Sequence, residues 1–153
     1  MDRRIAMASL AALLAFSTTA SLPVIAQTTS PADFILIRQD IMGLQFATIG
    51  GLKNAIDAKV DVKRLADRGD ALARSGKVIP LVFPKGSETG YPTKALPSVW
   101  SDRAGFEKAA SNLVEAAEKL AVLARSGDSD GFAAQWKVTG DTCSACHKEY
   151  RAK

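Results

Sequence analysis

The chain has 153 residues, 47% of them hydrophobic and 24% charged, which points to one globular domain and excludes a disordered tail or a fibrous repeat. Its formal charge is +4 with no Lys/Arg cluster, so nothing marks a nucleic-acid surface. Two cysteines are too few for a disulfide-built mini-protein, and the single histidine, His147, excludes any site that needs two.

Residues 1–26 read as a secretory signal. Arg3 and Arg4 form a positive start, and Ile5–Phe16 is an apolar run too short for the ~30 Å hydrocarbon core of a bilayer. Val24-Ile25-Ala26 then places small residues at the −3 and −1 positions of a cleavage site before Gln27; cleavage after Ala20 is the variant. The expected product, residues 27–153, is exported and not membrane-embedded.

Beyond the leader the periodicity is helical. Ser30-Pro31-Ala32-Asp33 is a helix start, with Ser as N-cap, Pro at the first position and an acid in the first turn. Phe34, Ile37, Ile41, Leu44 and Thr48 step by three and four, and Ile35, Met42 and Ile49 form a neighbouring row. Gly50-Gly51 is expected to weaken or end this helix. A second helix is expected from near Asp61, with Val62, Leu65, Gly69 and Leu72 inward. The pattern fails between Pro80 and Ser101, where Pro80, Pro84, Pro92 and Pro97 fall together with Gly86 and Gly90. A connection of that length should cross the domain or line a site. Ser101-Asp102 caps a third helix facing inward through Phe106, Ala110, Leu113, Ala117, Leu120 and Ala124, and Gly127 stops it. The fourth begins near Asp128–Asp130 and carries Phe132, Trp136, Thr139, Cys143, Cys146 and Tyr150 on one stripe. No segment alternates long enough to be a strand. The fold class is all-α, a four-helix bundle with a long loop between helices 2 and 3.

The chemistry lies in Cys143-Ser144-Ala145-Cys146-His147, a C-x-x-C-H pattern, the signature of covalent c-type haem attachment. On a helix both thiols and the imidazole project from one face. Two thiols can then add to the two vinyl groups on one porphyrin edge, and the adjacent imidazole reaches the iron. A disulfide between i and i+3 fits helical geometry poorly. A thioredoxin-type pair wants a βαβ setting, and structural zinc wants four N/S ligands. An export signal places the motif in the periplasm, where such haem is attached.

Together these features resemble the cytochrome c-prime family, the class II c-type cytochromes and their low-spin relatives. The resemblance rests on Cys143–Lys153 (CSACHKEYRAK), on Arg38-Gln39-Asp40-Ile41-Met42 in the first helix, and on Leu96-Pro97-Ser98-Val99-Trp100-Ser101 ahead of Phe106. It covers residues 31–153 and implies an antiparallel up-down-up-down bundle, one haem c bound through Cys143 and Cys146, and commonly a homodimer through the first two helices. Ile35, Ile49, Leu52 and Ile56 are the expected apolar surface for that pairing.

His147 is the expected proximal ligand. Met42, the only methionine beyond the leader, matches the family's residue over the far haem face; it is either a metal ligand or a packed cover, since members with Met there include both kinds. The resemblance places Arg38 near a haem propionate, the alternative being a solvated surface arginine. Arg151, four residues after His147, matches a basic residue often found beside the proximal ligand, unless it is frayed. Trp136 and Tyr150 are assigned to packing, and Trp100 to the core or a helix staple.

The leading function is periplasmic one-electron transfer to an unidentified redox partner. The alternative is a five-coordinate haem protein binding nitric oxide or carbon monoxide, and a third reading is an exported helical adaptor. No catalytic residue is assigned, because a Cys–His pair on one helical turn leaves no separate oxyanion site.

Overall fold

A computed structural model describes residues 29–153, so the leader proposed for residues 1–26 lies outside it. The helices are α1 (Pro31–Asp57), α2 (Ala66–Val78), the single turn α3 (Ser98–Ser101), α4 (Arg103–Ser126) and α5 (Ser129–Tyr150). Two 3-10 turns, Val62–Leu65 and Ile79–Val82, flank α2. The long helices α1, α2, α4 and α5 form the four-helix bundle that the periodicity implied, in the antiparallel order that the resemblance implied. Among the described residues the only extended pairing is one bridge between Ala95 and Arg151.

Capping chemistry sets the helix starts. The Ser30 hydroxyl accepts from the Asp33 amide while the Asp33 carboxylate accepts from the Ser30 amide, a reciprocal capping box. Asp102 caps α4 and Asp128 caps α5, each accepting from the backbone three residues on. Gly127 ends α4 in the left-handed region at φ +79°.

Two expectations about α1 are corrected. The helix runs through Gly50-Gly51 to Asp57. Each glycine costs about 1 kcal/mol against alanine, but Leu52 beyond them is fully buried and the Trp136 indole donates to the Ile49 carbonyl at 2.9 Å. Those anchors outweigh the glycines. The inward stripe also follows the neighbouring row rather than the longer one: Ile35 is buried and Met42 and Ile49 are half-buried, with the buried Arg38, Gln45 and Leu52 interleaved, whereas Ile37 and Leu44 of the longer row are exposed. Likewise the second helix opens with a 3-10 turn after Asp61 before α2 proper.

The core comprises two clusters. One joins Leu72, Val82, Phe83, Phe106 and Leu113 near the loop, and the other joins Leu52, Leu65, Leu120 and Phe132 at the opposite end. All six inward positions expected on α4 are buried. Gly69 lets α2 lie directly on α4: a Cβ built there would stand 2.9 Å from both the Cβ and the backbone nitrogen of Ala121. Gly69→Ala gains helix propensity but forces two backbones apart, and the clash dominates. The substitution is expected to cost about 1–3 kcal/mol, read as a lower urea midpoint.

Candidate functional site

The connection between α2 and α4 lines a site, as its length implied. Phe83, Thr93, Lys94 and Ala95 line a cavity of about 270 Å³ together with Arg38 and Met42 of α1 and Cys146, His147 and Arg151 at the end of α5. A second cavity of about 350 Å³ adjoins it, bounded by Gln45, Phe46, Ile49, Leu113 and Cys143. Met42, Cys146, His147 and Arg151 line both. Every predicted site residue therefore meets at one crevice, with Arg38 at its first end and Cys143 at its second.

The α5 residues are held by ordinary helical chemistry. Cys143 and Cys146 are half-buried free thiols. Burial pushes the Cys143 thiol up, and burial together with the neighbouring Cys143 pushes Cys146 up to about 11. Both are protonated at neutral pH, unlike the thiolate of a redox dithiol. Desolvation, and then the Arg151 guanidinium, hold the His147 imidazole below its usual pKa. A neutral imidazole keeps the lone pair that a metal needs.

The end of α5 is not frayed. The Arg151 amide donates to the His147 carbonyl at 3.1 Å, and the Leu96 and Ala152 amides donate across to the carbonyls of Tyr150 and Lys94. Tyr150 is buried, edge-on to Phe106, and its hydroxyl donates to the α4 cap Asp102 at 2.7 Å. That hydrogen bond, with burial and the carboxylate charge, pushes the phenol up to about 12. Tyr150 thus packs as expected and also fixes the haem-motif helix to α4. Gly105 permits the contact, since a Cβ there would meet the Tyr150 hydroxyl at 2.5 Å.

Arg38 is not a surface arginine: it is 2% exposed. Its Nη1 donates to the carbonyl and hydroxyl of Ser87 at 3.0 and 3.1 Å, and its Nη2 to the Thr93 hydroxyl at 3.0 Å. The guanidinium lies 4.5 Å from the Phe83 ring centre and 5.6 Å from that of Trp100. Trp100 is partly buried against the core, its indole donating to the Pro84 carbonyl. Sequence reasoning missed Phe83, Thr93, Lys94, Gln45 and Phe46 as site residues. Only the proline-rich break pointed toward the first three.

Such an arrangement defines a class: a helical bundle with an apolar crevice lined by two thiols and a neutral imidazole from one helix and by a thioether from another. Comparison with known proteins makes the class specific. The family model for cytochrome C′ matches residues 33–151. Cytochrome c′ of Rhodospirillum rubrum is 33% identical over 150 residues, covering 95% of this chain and 97% of that protein. The crystal structure of cytochrome c′ from Rubrivivax gelatinosus superposes with a TM-score of 0.74 at 30% identity, covering 82% of this chain and all of that one. A nitric oxide complex of a cytochrome c′ variant from Alcaligenes xylosoxidans gives the same TM-score at 26% identity, covering 83% of this chain and 99% of that one. The chain belongs to the cytochrome c′ family.

Members carry a covalently attached c-type haem, and Cys143 and Cys146 supply the matching thiol pair of this chain. The crevice suits that group. Its lining is mostly apolar, as a macrocycle requires. Arg38, Lys94 and Arg151 are its charged residues, and no Asp or Glu lines either cavity. Burial disfavours the Arg38 charge, Glu88 of the loop offsets this only in part, and no salt bridge to Arg38 forms among the described residues. Such a guanidinium suits an anionic group, and haem brings two carboxylates.

Proposed function

We propose that this protein is a periplasmic electron carrier, exported by cleavage near Ala26, rather than an enzyme. The observation that supports it is the meeting of His147 and Met42, on different helices, at the same two cavities. Haem held there supplies one iron cycling between its Fe(II) and Fe(III) states. His147 provides the proximal nitrogen, and its neutral form at working pH needs no deprotonation. Cys143 and Cys146 hold the porphyrin edge covalently, so the group is not lost to the medium. Met42 would offer a soft sulfur to the iron, which favours Fe(II) and raises the reduction potential. Arg38 and Arg151 offer donors to the carboxylates. Gln135, buried on α5, donates to the Ala116 carbonyl of α4 at 3.0 Å and ties the two helices together before the motif.

The second reading, binding of nitric oxide or carbon monoxide, is favoured by one observation: a relative's structure holds nitric oxide. It requires Met42 to cover the iron without binding it. Intact mass and absorption spectra of the periplasmic protein test both. A mass for residues 27–153 plus one haem and a sharp reduced α band support the carrier. Retained residues 1–26 or an apoprotein mass from a host competent in cytochrome c maturation overturns it.

A homodimer is also proposed, through α1 as the resemblance implied, but not through Ile35 and Leu52. Ile35 and Leu52 are fully buried in the protomer's own core and cannot pair copies. The exposed apolar residues of α1 are Leu36, Ile37, Leu44 and Phe46, and Gly43, Gly50 and Gly51 beside them have nothing within 4 Å of a built Cβ. Leu44→Glu is expected to shift the sedimentation of the wild-type dimer to that of a monomer. A wild type that remains monomeric at all concentrations refutes the pairing.

A further inference from the structure

We infer that Arg38 is a positioning residue that latches the Pro84–Thr93 segment over the crevice, and that a carboxylate in the crevice tightens this latch. The inference rests on the haem reading for the identity of the carboxylate. Its structural basis is independent of that reading.

Arg38 sits on α1, one turn before Met42, yet every polar contact it makes belongs to residues 49 and 55 positions away. Those contacts are built, not incidental. The Ser87 hydroxyl that accepts from Arg38 donates in turn to the Pro84 carbonyl at 2.8 Å. That carbonyl also accepts from the Ser87 amide and the Trp100 indole. The Thr93 hydroxyl that accepts from Arg38 also accepts from the Ala95 amide at 3.2 Å. Gln39, next in sequence, donates to the Pro92 carbonyl at 2.9 Å. Gly86 at φ +89° and Gly90 at φ +109° turn the chain so that both ends of the segment reach one guanidinium.

Apart from these links the segment has little to hold it. Lys85, Gly86, Glu88, Thr89, Gly90, Tyr91 and Pro92 are all exposed, and only Ser87 is buried. A stretch with so few buried apolar contacts is drawn from the low-stability end of the molecule, so its closure depends on the polar links. The guanidinium has five N–H donors in a fixed fork. The Ser87 and Thr93 contacts leave others free, and Arg38 lines the first cavity. Glu88, exposed within the segment, already acts on the Arg38 charge, and an anion in the crevice would add to it and hold the fork in the same plane that receives Ser87 and Thr93. Filling the crevice and closing the segment are therefore coupled. A lysine keeps the charge but cannot bridge Ser87 and Thr93 while facing the cavity.

Limited trypsin digestion of the haem-loaded protein tests the latch, because Lys85 and Lys94 bracket the segment and both are exposed. In Arg38→Lys, cleavage after Lys85 and Lys94 is expected to rise about tenfold or more, while cleavage within α2, α4 and α5 stays at the wild-type rate. Thr93→Val combined with Ser87→Ala, which leaves Arg38 in place, is expected to do the same, and it serves if the Arg38 variant does not accumulate. The reduction potential should fall further in Arg38→Gln than in Arg38→Lys, because only the former removes the charge near the carboxylates. Unchanged rates at Lys85 and Lys94 in both loop and arginine variants overturn the latch. So does a uniform rise along the chain, which would make Arg38 a plain core residue. A protein whose intact mass lacks haem sinks the haem reading instead, and the two failures are distinguishable.

Discussion

Replacing both motif cysteines, Cys143→Ala with Cys146→Ala, is expected to leave no covalent haem, with the group fully extractable by acidified organic solvent and the intact mass falling to that of the polypeptide. The two thiols lie on one face of α5 and border the same crevice. Each single variant should retain one thioether and therefore the haem mass. The double variant should also be less stable, because the haem's apolar surface would no longer be buried against Phe106, Leu113, Val99 and Ile49. A loss of ~3 kcal/mol corresponds to a fall of roughly 10 °C in melting temperature. Haem that survives extraction in the double variant would show that another residue makes the covalent link.

The parts of this site that were legible in the sequence are those whose chemistry is local. C-x-x-C-H fits within two turns of α5, and the helix caps at Ser30, Asp102 and Asp128 act over three residues, so spacing alone exposes them. Gly69 was legible as an anomaly on an inward stripe, though only the α2–α4 contact reveals that Ala121 is what it admits. The face of α1 was harder. Two apolar rows run side by side on that helix, and the choice between them is made by α2, α5 and the loop, not by α1 itself. The buried face even contains two polar residues, Arg38 and Gln45, whose partners Ser87, Thr93 and Ser75 are 30 to 55 residues distant. A polar side chain in a core is invisible to periodicity until its partners are known. The proline-rich connection announced that it lines a site, but not which of its residues do so. Because two rows of α1 are apolar, the sequence reading also assigned Ile35 and Leu52 to an outer surface, whereas both are buried in the protomer.

Met42 is expected to decide what the haem does, and its removal should have the largest effect on ligand chemistry. It is the only methionine among the described residues and borders both cavities, packing against the cluster that contains Phe106 and Tyr150. The backbone beneath it is held firmly: Arg38 is tied to the loop one turn before, and Gln45 donates to the Ser75 hydroxyl at 3.0 Å one turn after. With the only histidine committed on α5, the carrier reading requires the thioether as sixth ligand. The wild type is then low-spin and slow to bind carbon monoxide. Met42→Ala should turn the iron high-spin, lower the reduction potential and speed carbon monoxide binding at least about tenfold, equivalent to removing about 1.4 kcal/mol from the barrier. Met42→Leu separates bonding from bulk, because it conserves volume but offers no sulfur. A ligating methionine predicts that the leucine variant is already high-spin. A covering methionine predicts a high-spin wild type, an unchanged spectrum in Met42→Leu and faster ligand access only in Met42→Ala. A low-spin spectrum that persists through both substitutions would contradict either role and assign the sixth position to a different side chain, with Lys94 at the crevice wall the first to replace.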